Sequence, residues 1–148
     1  MTQFSYSSPF DAFTDQELVT RVVWAEARGE PIEGMVACAN VIKNRTKNPD
    51  RYGQGWRGVC LKPKQFSSLN DGDPNRVQIF NLGTSGEYPL KAFRECQWAV
   101  VGVMEGWLRD NTKGSDHYYS TSLMTAPYWS KDMKVTSQIG NHVFLRDT

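Results

Sequence analysis

The sequence predicts an α+β domain that is mainly α-helical and carries a small β-hairpin or sheet near its C-terminus. Apolar residues recur at three- and four-residue steps in two long stretches, and the last third consists of short β-prone pieces separated by turn residues. A length of 148 residues, 39% hydrophobic and 22% charged, is typical of one globular domain. We therefore expect a polar N-terminal arm, residues 1–13, followed by a single domain, residues 14–148.

The first two helices are predicted from their end signals. Thr14 and Glu17 have the spacing of a capping box, so the first helix should run over residues 15–28. Gly29 is placed to end it. A second helix is predicted over residues 31–46, because a proline opens it and apolar residues recur along it at helical spacing.

The middle of the chain is predicted to be mostly irregular. Residues 48–56 are rich in Gly, Pro, Asn and Asp and are predicted to form a loop, and a short helical turn should follow at 58–63. Residues 69–86 are polar and are predicted to form a long surface segment, with a short helix near 75–82. The clearest later helix is predicted over residues 90–109.

Three β-prone pieces are predicted after residue 114, namely HYYSTS, KVTSQIG and NHVFLR. If the first of these is a strand, His117 and Tyr119 share one face and Tyr118 takes the other, because side chains alternate along a strand.

Composition excludes several function classes. The net charge is +1 and there is no run of basic residues, so nucleic acid is not the expected partner. No apolar run is long enough for stable membrane insertion. Cys38, Cys60 and Cys96 are widely spaced, so we expect buried, reduced thiols, and no cofactor or metal site. The opening MTQFSYSSPF does not match a signal peptide, so we expect synthesis in a cytoplasm.

One acidic residue falls where the first helix should be apolar. With Leu18 at zero on the helical wheel, Val22 lies near ~40°, Val19 near ~100° and Val23 near ~140°, and Glu26 lies at about 80° among them. The charged residues Glu17, Arg21 and Arg28 fall on the other side.

A carboxylate in this stripe must be paired, protonated or functional. Burial raises a carboxyl pKa, and a carboxyl that is protonated near neutral pH can act as a general acid. The alternative is a structural role: an ion pair with Arg28 or Arg45, or hydrogen bonds from backbone amides of the second helix. Glu30 lies near the start of that helix, where an acid stabilises the helix dipole or caps the helix.

Four blocks of the sequence resemble the SleB-type cell wall hydrolase family, which includes spore cortex-lytic enzymes and phage and bacterial relatives. They are RVVWAEARGEPIEGMVACANVIKNR (21–45), KPKQFSS (62–68), DHYYS (116–120) and IGNHVFL (139–145), in the family's order. The resemblance implies a lysozyme-like fold and cleavage of the β-1,4 bond between N-acetylmuramic acid and N-acetylglucosamine in peptidoglycan. It also implies that Glu26 is the catalytic acid and that the product is a 1,6-anhydro sugar, as in lytic transglycosylases.

Two other functions stay open on the sequence alone. One is a hydrolytic muramidase that uses water and a second acid, with Glu30, Asp71 or Asp73 as the candidates. The other is a glycan-binding module without enzymatic activity.

The resemblance and the residue types also suggest a set of residues around Glu26. We expect substrate binding by Gln65, Phe66, Ser67, His117, Tyr118 and Tyr119. Tyr118 or Tyr119 should orient the substrate or Glu26, with His117 hydrogen-bonding nearby, whereas His142 is expected to be structural. Supporting roles are expected for Glu30, which could hold a loop, and for Asn44 and Arg45 as a helix C-cap and an ion-pair partner.

A compact domain without a visible leader is most similar to a phage endolysin. We therefore expect a monomer that acts on glycan strands of the cell wall, with release from the cytoplasm through a separate holin-type pore.

Overall fold

The computed structural model of the protein describes residues 9–62, 65–66, 69, 72–81 and 90–147. The predicted fold class is confirmed, because helices dominate the described residues and a small antiparallel sheet lies near the C-terminus. The helices are α1 (Asp15–Ala27), α2 (Ile32–Thr46), α3 (Pro49–Tyr52), α4 (Gly55–Leu61), α5 (Pro74–Asn81) and α6 (Leu90–Glu105). The strands are β1 (His117–Ser120), β2 (Lys134–Ile139) and β3 (His142–Arg146), and 3-10 turns lie at Pro9–Ala12 and Tyr128–Ser130.

Helix α1 is the central helix of the domain and packs against α2, α4, α5 and α6. It begins with the predicted capping box, in which Thr14 Oγ1 accepts from the Glu17 amide at 3.1 Å and Glu17 Oε1 accepts from the Thr14 amide at 2.9 Å. It ends at Ala27, with Arg28 as the capping residue. Because α1 is buried around most of its circumference, its C-terminal turn is held firmly inside the domain.

The side of α1 that carries Arg21 is also covered, which the helical wheel did not predict. Arg21 is buried, and its guanidinium lies 4.2 Å from the ring centre of Phe13 and 5.8 Å from that of Phe93. Phe10 is buried in the same core. Phe10 and Phe13 of the predicted polar arm therefore pack on the domain.

Helix α6 ends at Glu105, four residues before the predicted end at residue 109. Gly106 has a φ of +86°, and the amides of Gly106 and Leu108 both donate to the Gly102 carbonyl, at 3.1 and 3.0 Å. A Cβ on Gly102 would lie 2.3 Å from Leu108 Cδ1. The absence of a side chain at position 102 thus lets the chain fold back onto the helix.

The middle of the chain contributes more to the core than its polarity indicates. The predicted loop at 48–56 contains α3, and α4 begins at Gly55, before the predicted turn at 58–63. Within the predicted surface segment 69–86, Leu69 and Ile79 are buried. These isolated apolar residues anchor an otherwise polar segment, and the short helix predicted near 75–82 is confirmed as α5.

The sheet has the strand order β1–β3–β2, and both pairings are antiparallel. Gly140, with a φ of +55°, forms the tight turn between β2 and β3. Phe144 of β3 packs with Ala37 and Val41 of α2, and Tyr118 of β1 packs against this cluster. The packing of the sheet on α2 brings β1 towards the end of α1.

The three cysteines are buried and free, as predicted. None of the helices formed by the described residues combines the length and the apolar character needed to cross a membrane.

The linker between α3 and α4 provides a stability test. Gly53 has a φ of +108°, and a Cβ there would lie 2.6 Å from the Gly58 carbonyl oxygen. Gly55 has a φ of +63°, but a Cβ there would meet nothing within 4 Å. We expect Gly53→Ala to lower the free energy of unfolding by about 3 kcal/mol or more, and Gly55→Ala by only about 1 kcal/mol, in urea denaturation. Equal losses for the two variants would contradict the backbone clash.

Candidate active site

An open cleft of about 450 Å³ lies where the end of α1 meets α2, α3 and the sheet. Its walls combine one carboxyl group, two guanidinium groups and several aromatic rings. The residues that line it are Glu26, Arg45, Arg51, Gln65, Phe66, His117, Tyr118, Trp129 and Met133. The cleft therefore brings together most of the residues that the sequence predicted as a site.

Glu26 lies in the last turn of α1 and is half-buried. Its Oε1 accepts a hydrogen bond from the Tyr118 hydroxyl. Burial raises the pKa of Glu26 above its ordinary value; the Tyr118 hydrogen bond and the charges of His142 and Arg45 oppose this rise, and the charge of Asp73 adds to it. The cleft thus contains a carboxyl group whose proton is retained to higher pH than usual.

Tyr118 is the tyrosine that orients Glu26. Its ring centre lies 5.0 Å from that of His142, edge to face, and 5.7 Å from that of Phe144. Burial and the nearby Glu26 raise the pKa of Tyr118 well above its ordinary value, so the hydroxyl keeps its proton and remains a donor. Strand alternation explains why Tyr118 and not Tyr119 bonds to Glu26, because the two side chains point to opposite faces of β1.

Glu30 fixes the turn between β2 and β3 to the junction of α1 and α2. Its carboxylate accepts from the Asn141 backbone amide at 2.7 Å and from Asn141 Nδ2 at 2.9 Å, and it lies 3.2 Å from His142 Nδ1. A Cβ on Gly140 would lie 2.8 Å from Glu30 Oε1, so glycine permits this approach. The expectation that Glu30 caps α2 was wrong, because Pro31 is the N-cap and has no side-chain cap bond. The alternative expectation, that Glu30 holds a loop, is what the structure shows.

Arg45 of α2 is one of the residues that line the cleft. Its Nε donates to the Asp116 carbonyl at 2.8 Å, and a terminal nitrogen donates to Gln65 Oε1 at 3.3 Å. The guanidinium lies 5.2 Å from the Tyr52 ring centre and 5.5 Å from that of Phe66. These contacts, rather than the predicted ion pair, hold a positive charge near Glu26.

Asn44 fixes the loop that leads into β1. Its amide donates to Asp110 Oδ2 and to the Ser115 carbonyl, both at 2.9 Å. The prediction that Asn44 caps α2 was wrong, since the helix continues to Thr46 and Lys47 is the capping residue.

The segment at residues 65–67 is only partly described. Gln65 is exposed at the cleft and bonds to Arg45, whereas Phe66 is 3% exposed and belongs mainly to the core. Ser67 lies outside the described residues.

His117 is held in one orientation at the other wall of the cleft. Its Nδ1 lies 2.8 Å from Asp116 Oδ1, and the Tyr52 hydroxyl donates to Asp116 Oδ2 at 3.3 Å. Burial tends to raise the pKa of Asp116, but hydrogen bonds from His117, Tyr52 and the Asp147 amide outweigh it and lower that pKa. Asp116 therefore stays ionised as the acceptor for His117.

Trp129 is a cleft residue that the sequence analysis did not identify. Its ring centre lies 5.4 Å from that of His117 and 6.2 Å from that of Tyr119, and 43% of the residue remains exposed. Tyr119, predicted to bind substrate, therefore supports Trp129 from outside the set of lining residues. The sequence of residues 121–133 has no strand or helix periodicity, so the only signal that could have identified Trp129 as a cleft residue is its aromatic side chain.

The sequence model of the Cell Wall Hydrolase family matches residues 29–145 of this chain. The chain belongs to this family. The spore cortex-lytic enzyme of Bacillus subtilis (strain 168) is 33% identical over 131 residues, which are 88% of this chain and 37% of that protein. That of Oceanobacillus iheyensis is 31% identical over 89% of this chain and 41% of that protein. The chain thus spans about two fifths of the length of these relatives.

Two solved structures have a similar fold. The catalytic domain of the germination-specific lytic transglycosylase SleB from Bacillus anthracis aligns with a TM-score of 0.67 and 26% identity, covering 98% of this chain and 100% of that domain. The catalytic domain of the Bacillus cereus SleB protein gives 0.66 and 27%, covering 98% and 95%. The family match begins at residue 29, just after Glu26, whereas both structural alignments cover 98% of the chain.

The Glu30 contacts yield a second stability test. We expect Glu30→Ala to lower the free energy of unfolding by about 1–3 kcal/mol, because the hydrogen bonds from Asn141 are lost. Glu33→Ala is the matched control, since Glu33 is an exposed acid in the first turn of α2, and we expect it to change stability by less than about 0.5 kcal/mol. If urea denaturation gave the same small effect for both, Glu30 would not secure the turn.

Proposed function

We propose that this chain is a peptidoglycan-degrading lytic transglycosylase that cleaves the β-1,4 bond between N-acetylmuramic acid and N-acetylglucosamine. One observation carries the proposal: a half-buried carboxyl group with a raised pKa, Glu26, lies in an open cleft and accepts a hydrogen bond from Tyr118. The fold shared with a lytic transglycosylase catalytic domain supports it.

The first chemical step uses Glu26 as a general acid. Its proton passes to the glycosidic oxygen while the bond from that oxygen to C1 of the muramyl residue breaks. The electron pair of this bond leaves with the N-acetylglucosamine oxygen, and positive charge develops at the muramyl C1. Burial of Glu26 serves this step, because it keeps the carboxyl protonated in a larger share of the molecules near neutral pH.

In the second step the same group, now a carboxylate, acts as a general base. It takes the proton from the muramyl C6 hydroxyl, and O6 forms a bond to C1, which closes the 1,6-anhydro ring. The proton lost in the first step is regained, so neither water nor a second carboxyl group is needed. The Tyr118 hydroxyl and the positive charge of Arg45 both favour the carboxylate form, and thus stabilise it between the two steps.

The other cleft residues are suited to binding the glycan. We assign Trp129 as an aromatic surface for a sugar ring, held in place by His117 and Tyr119. Gln65 is exposed at the cleft and is suited to hydrogen-bond an acetamido group. His117, oriented by Asp116, is suited to bond a sugar hydroxyl.

A hydrolytic muramidase is the second candidate, because the structure offers one further carboxylate, Asp73, whose charge acts on Glu26. Asp73 contributes to the raised pKa of Glu26 and could activate water. Glu30 is a poor candidate for this role because its carboxylate oxygens bond to Asn141, and Asp71 lies outside the described residues. We favour the transglycosylase because Glu26 alone can supply both proton transfers.

We propose an endolysin-like monomer that acts on the cell wall after release through a separate holin-type pore.

Product mass decides between the two enzymatic candidates. We expect digestion of purified peptidoglycan to release 1,6-anhydro muramyl products, and Asp73→Asn to leave their identity unchanged. Muramyl products one water heavier, and lost in Asp73→Asn, would establish the hydrolytic reaction instead.

Removing the acid tests the central role of Glu26. We expect Glu26→Gln to lower kcat/KM on peptidoglycan by about 10²–10⁴-fold, the usual contribution of a general acid–base group.

The same variant tests the raised pKa through stability. Since folding raises the pKa of Glu26, the protonated carboxyl group stabilises the folded state, and this stabilisation is lost as pH rises through the folded-state pKa. Glu26→Gln should therefore raise Tm at pH 7, and the gain should vanish near about pH 4. A folded variant with full activity would remove Glu26 from the mechanism.

The Tyr118 hydroxyl lowers the pKa of Glu26, so its removal should change the pH profile. In Tyr118→Phe we expect the pKa of Glu26 to rise. Activity that needs protonated Glu26 should then decline at a higher pH than in the wild type, with a lower maximum because the carboxylate is less well oriented. Tyr128→Phe is the control, since Tyr128 is 92% exposed and does not belong to the residues that line the cleft. An unshifted alkaline limb in Tyr118→Phe would show that the hydrogen bond does not govern Glu26.

A further inference from the structure

Two tryptophans outside the cleft form an exposed aromatic corner. Trp98 of α6 and Trp107, just beyond the end of α6, are 45% and 52% exposed. Their ring centres lie 5.2 Å apart with an interplanar angle of 69°. An exposed pair of packed aromatic rings is a candidate binding surface.

The fold holds this pair in place. The chain reverses at Gly106 and is fixed by the two hydrogen bonds to the Gly102 carbonyl. A Cβ on Gly102 would lie 2.3 Å from Leu108 Cδ1 and 3.0 Å from Trp107 Cη2. Trp107 is thus packed on the helix surface beside Trp98.

Trp98 lies within a groove between α6 and the start of α2. One cavity of about 440 Å³ extends from Trp98 towards Lys91 and Arg94, and another of about 240 Å³ extends from Trp98 towards Arg109. Both are bordered by Ile32. From residue 91 to residue 98 the helix alone spans ~10 Å, so the groove is elongated.

The side chains of the groove are complementary to a carbohydrate polymer that carries carboxylates. Indole rings pack against the apolar C–H faces of pyranose sugars. The three basic side chains, Lys91, Arg94 and Arg109, outnumber the two acidic ones, Glu33 and Glu95. Two cations lie towards one end and one towards the other, with the apolar Trp98 between them.

We propose that this groove is a second binding site for uncleaved peptidoglycan, with the Trp98–Trp107 corner on a sugar ring and the basic residues on stem-peptide carboxylates. The inference rests on the proposed function, because it takes the ligand to be the polymer that the cleft cleaves. A strand held at this site would keep the enzyme on its insoluble substrate and raise the local concentration of cleavable bonds.

The test measures binding separately from cleavage. In the inactive Glu26→Gln background, co-sedimentation with insoluble peptidoglycan sacculi should weaken by about tenfold or more in the Trp98→Ala, Trp107→Ala double variant. Val135→Ala is the matched control, since Val135 is an exposed apolar residue on β2, and it should bind like its parent. If the aromatic face is what binds, a double variant with Trp98→Phe in place of Trp98→Ala should recover part of the lost binding. Unchanged binding in the double variant, with the fold verified by thermal unfolding, would overturn the inference.

Two further measurements sharpen the result. With Glu26 intact, the double variant should lose activity on sacculi but keep the wild-type kcat/KM on short soluble glycan fragments. Equal losses on both substrates would contradict a site separate from the cleft. If sedimentation velocity showed that the tryptophans hold two copies together, the surface would be a subunit interface and the proposal would fail. Failure of the proposed function would appear differently, as retained cleavage in Glu26→Gln.

Discussion

The hydrogen bond from the Tyr118 hydroxyl to Glu26 is the contact on which the rest of the site depends. A carboxyl group at the end of a buried helix costs free energy in its ionised form, so it needs either a proton or a donor. Tyr118 supplies the donor, and burial keeps the tyrosine itself protonated. The two groups therefore form a pair in which Tyr118 keeps its proton as the donor and Glu26 is the acceptor.

The small sheet serves to place that donor. Phe144 packs on α2, and β1 pairs with β3 so that Tyr118 lies directly opposite Phe144. Glu30 fixes the β2–β3 turn through Asn141 and lies beside His142, whose ring contacts Tyr118. A continuous set of contacts thus runs from the α1–α2 junction through the turn and back to Glu26. A loss of order at this turn would therefore reach Glu26 through His142 and Tyr118.

The sequence predicted what depends on neighbours along the chain. The capping box, the helical stripe that contains Glu26 and the alternation of His117, Tyr118 and Tyr119 are all local patterns. Long-range contacts were beyond such patterns. The carboxylate of Glu30 meets Asn141, 111 residues away, and nothing in the local sequence of either residue specifies the other.

Burial on the far side of α1 was missed for a similar reason. A helical wheel assigns Arg21 to solvent, but Phe13 and Phe93 cover it from elsewhere in the chain. The sequence around Trp129 has no helix or strand periodicity, so the sequence alone does not tell whether its ring is buried or lines a binding surface. Its contacts with His117 and Tyr119 show where the ring lies.

For the proposed reaction, the charges around Glu26 explain how one carboxyl group could serve two opposite steps. A general acid needs the proton to be held, and burial together with the charge of Asp73 favours the protonated form. A general base needs the carboxylate to persist until the C6 hydroxyl arrives, and Tyr118, His142 and Arg45 favour that form. In the proposed reaction, either set alone would favour only one of the two proton transfers. Because both sets act on the same group, the free energies of its two protonation states are brought closer together. A reaction in which one group first donates and then accepts a proton requires this balance.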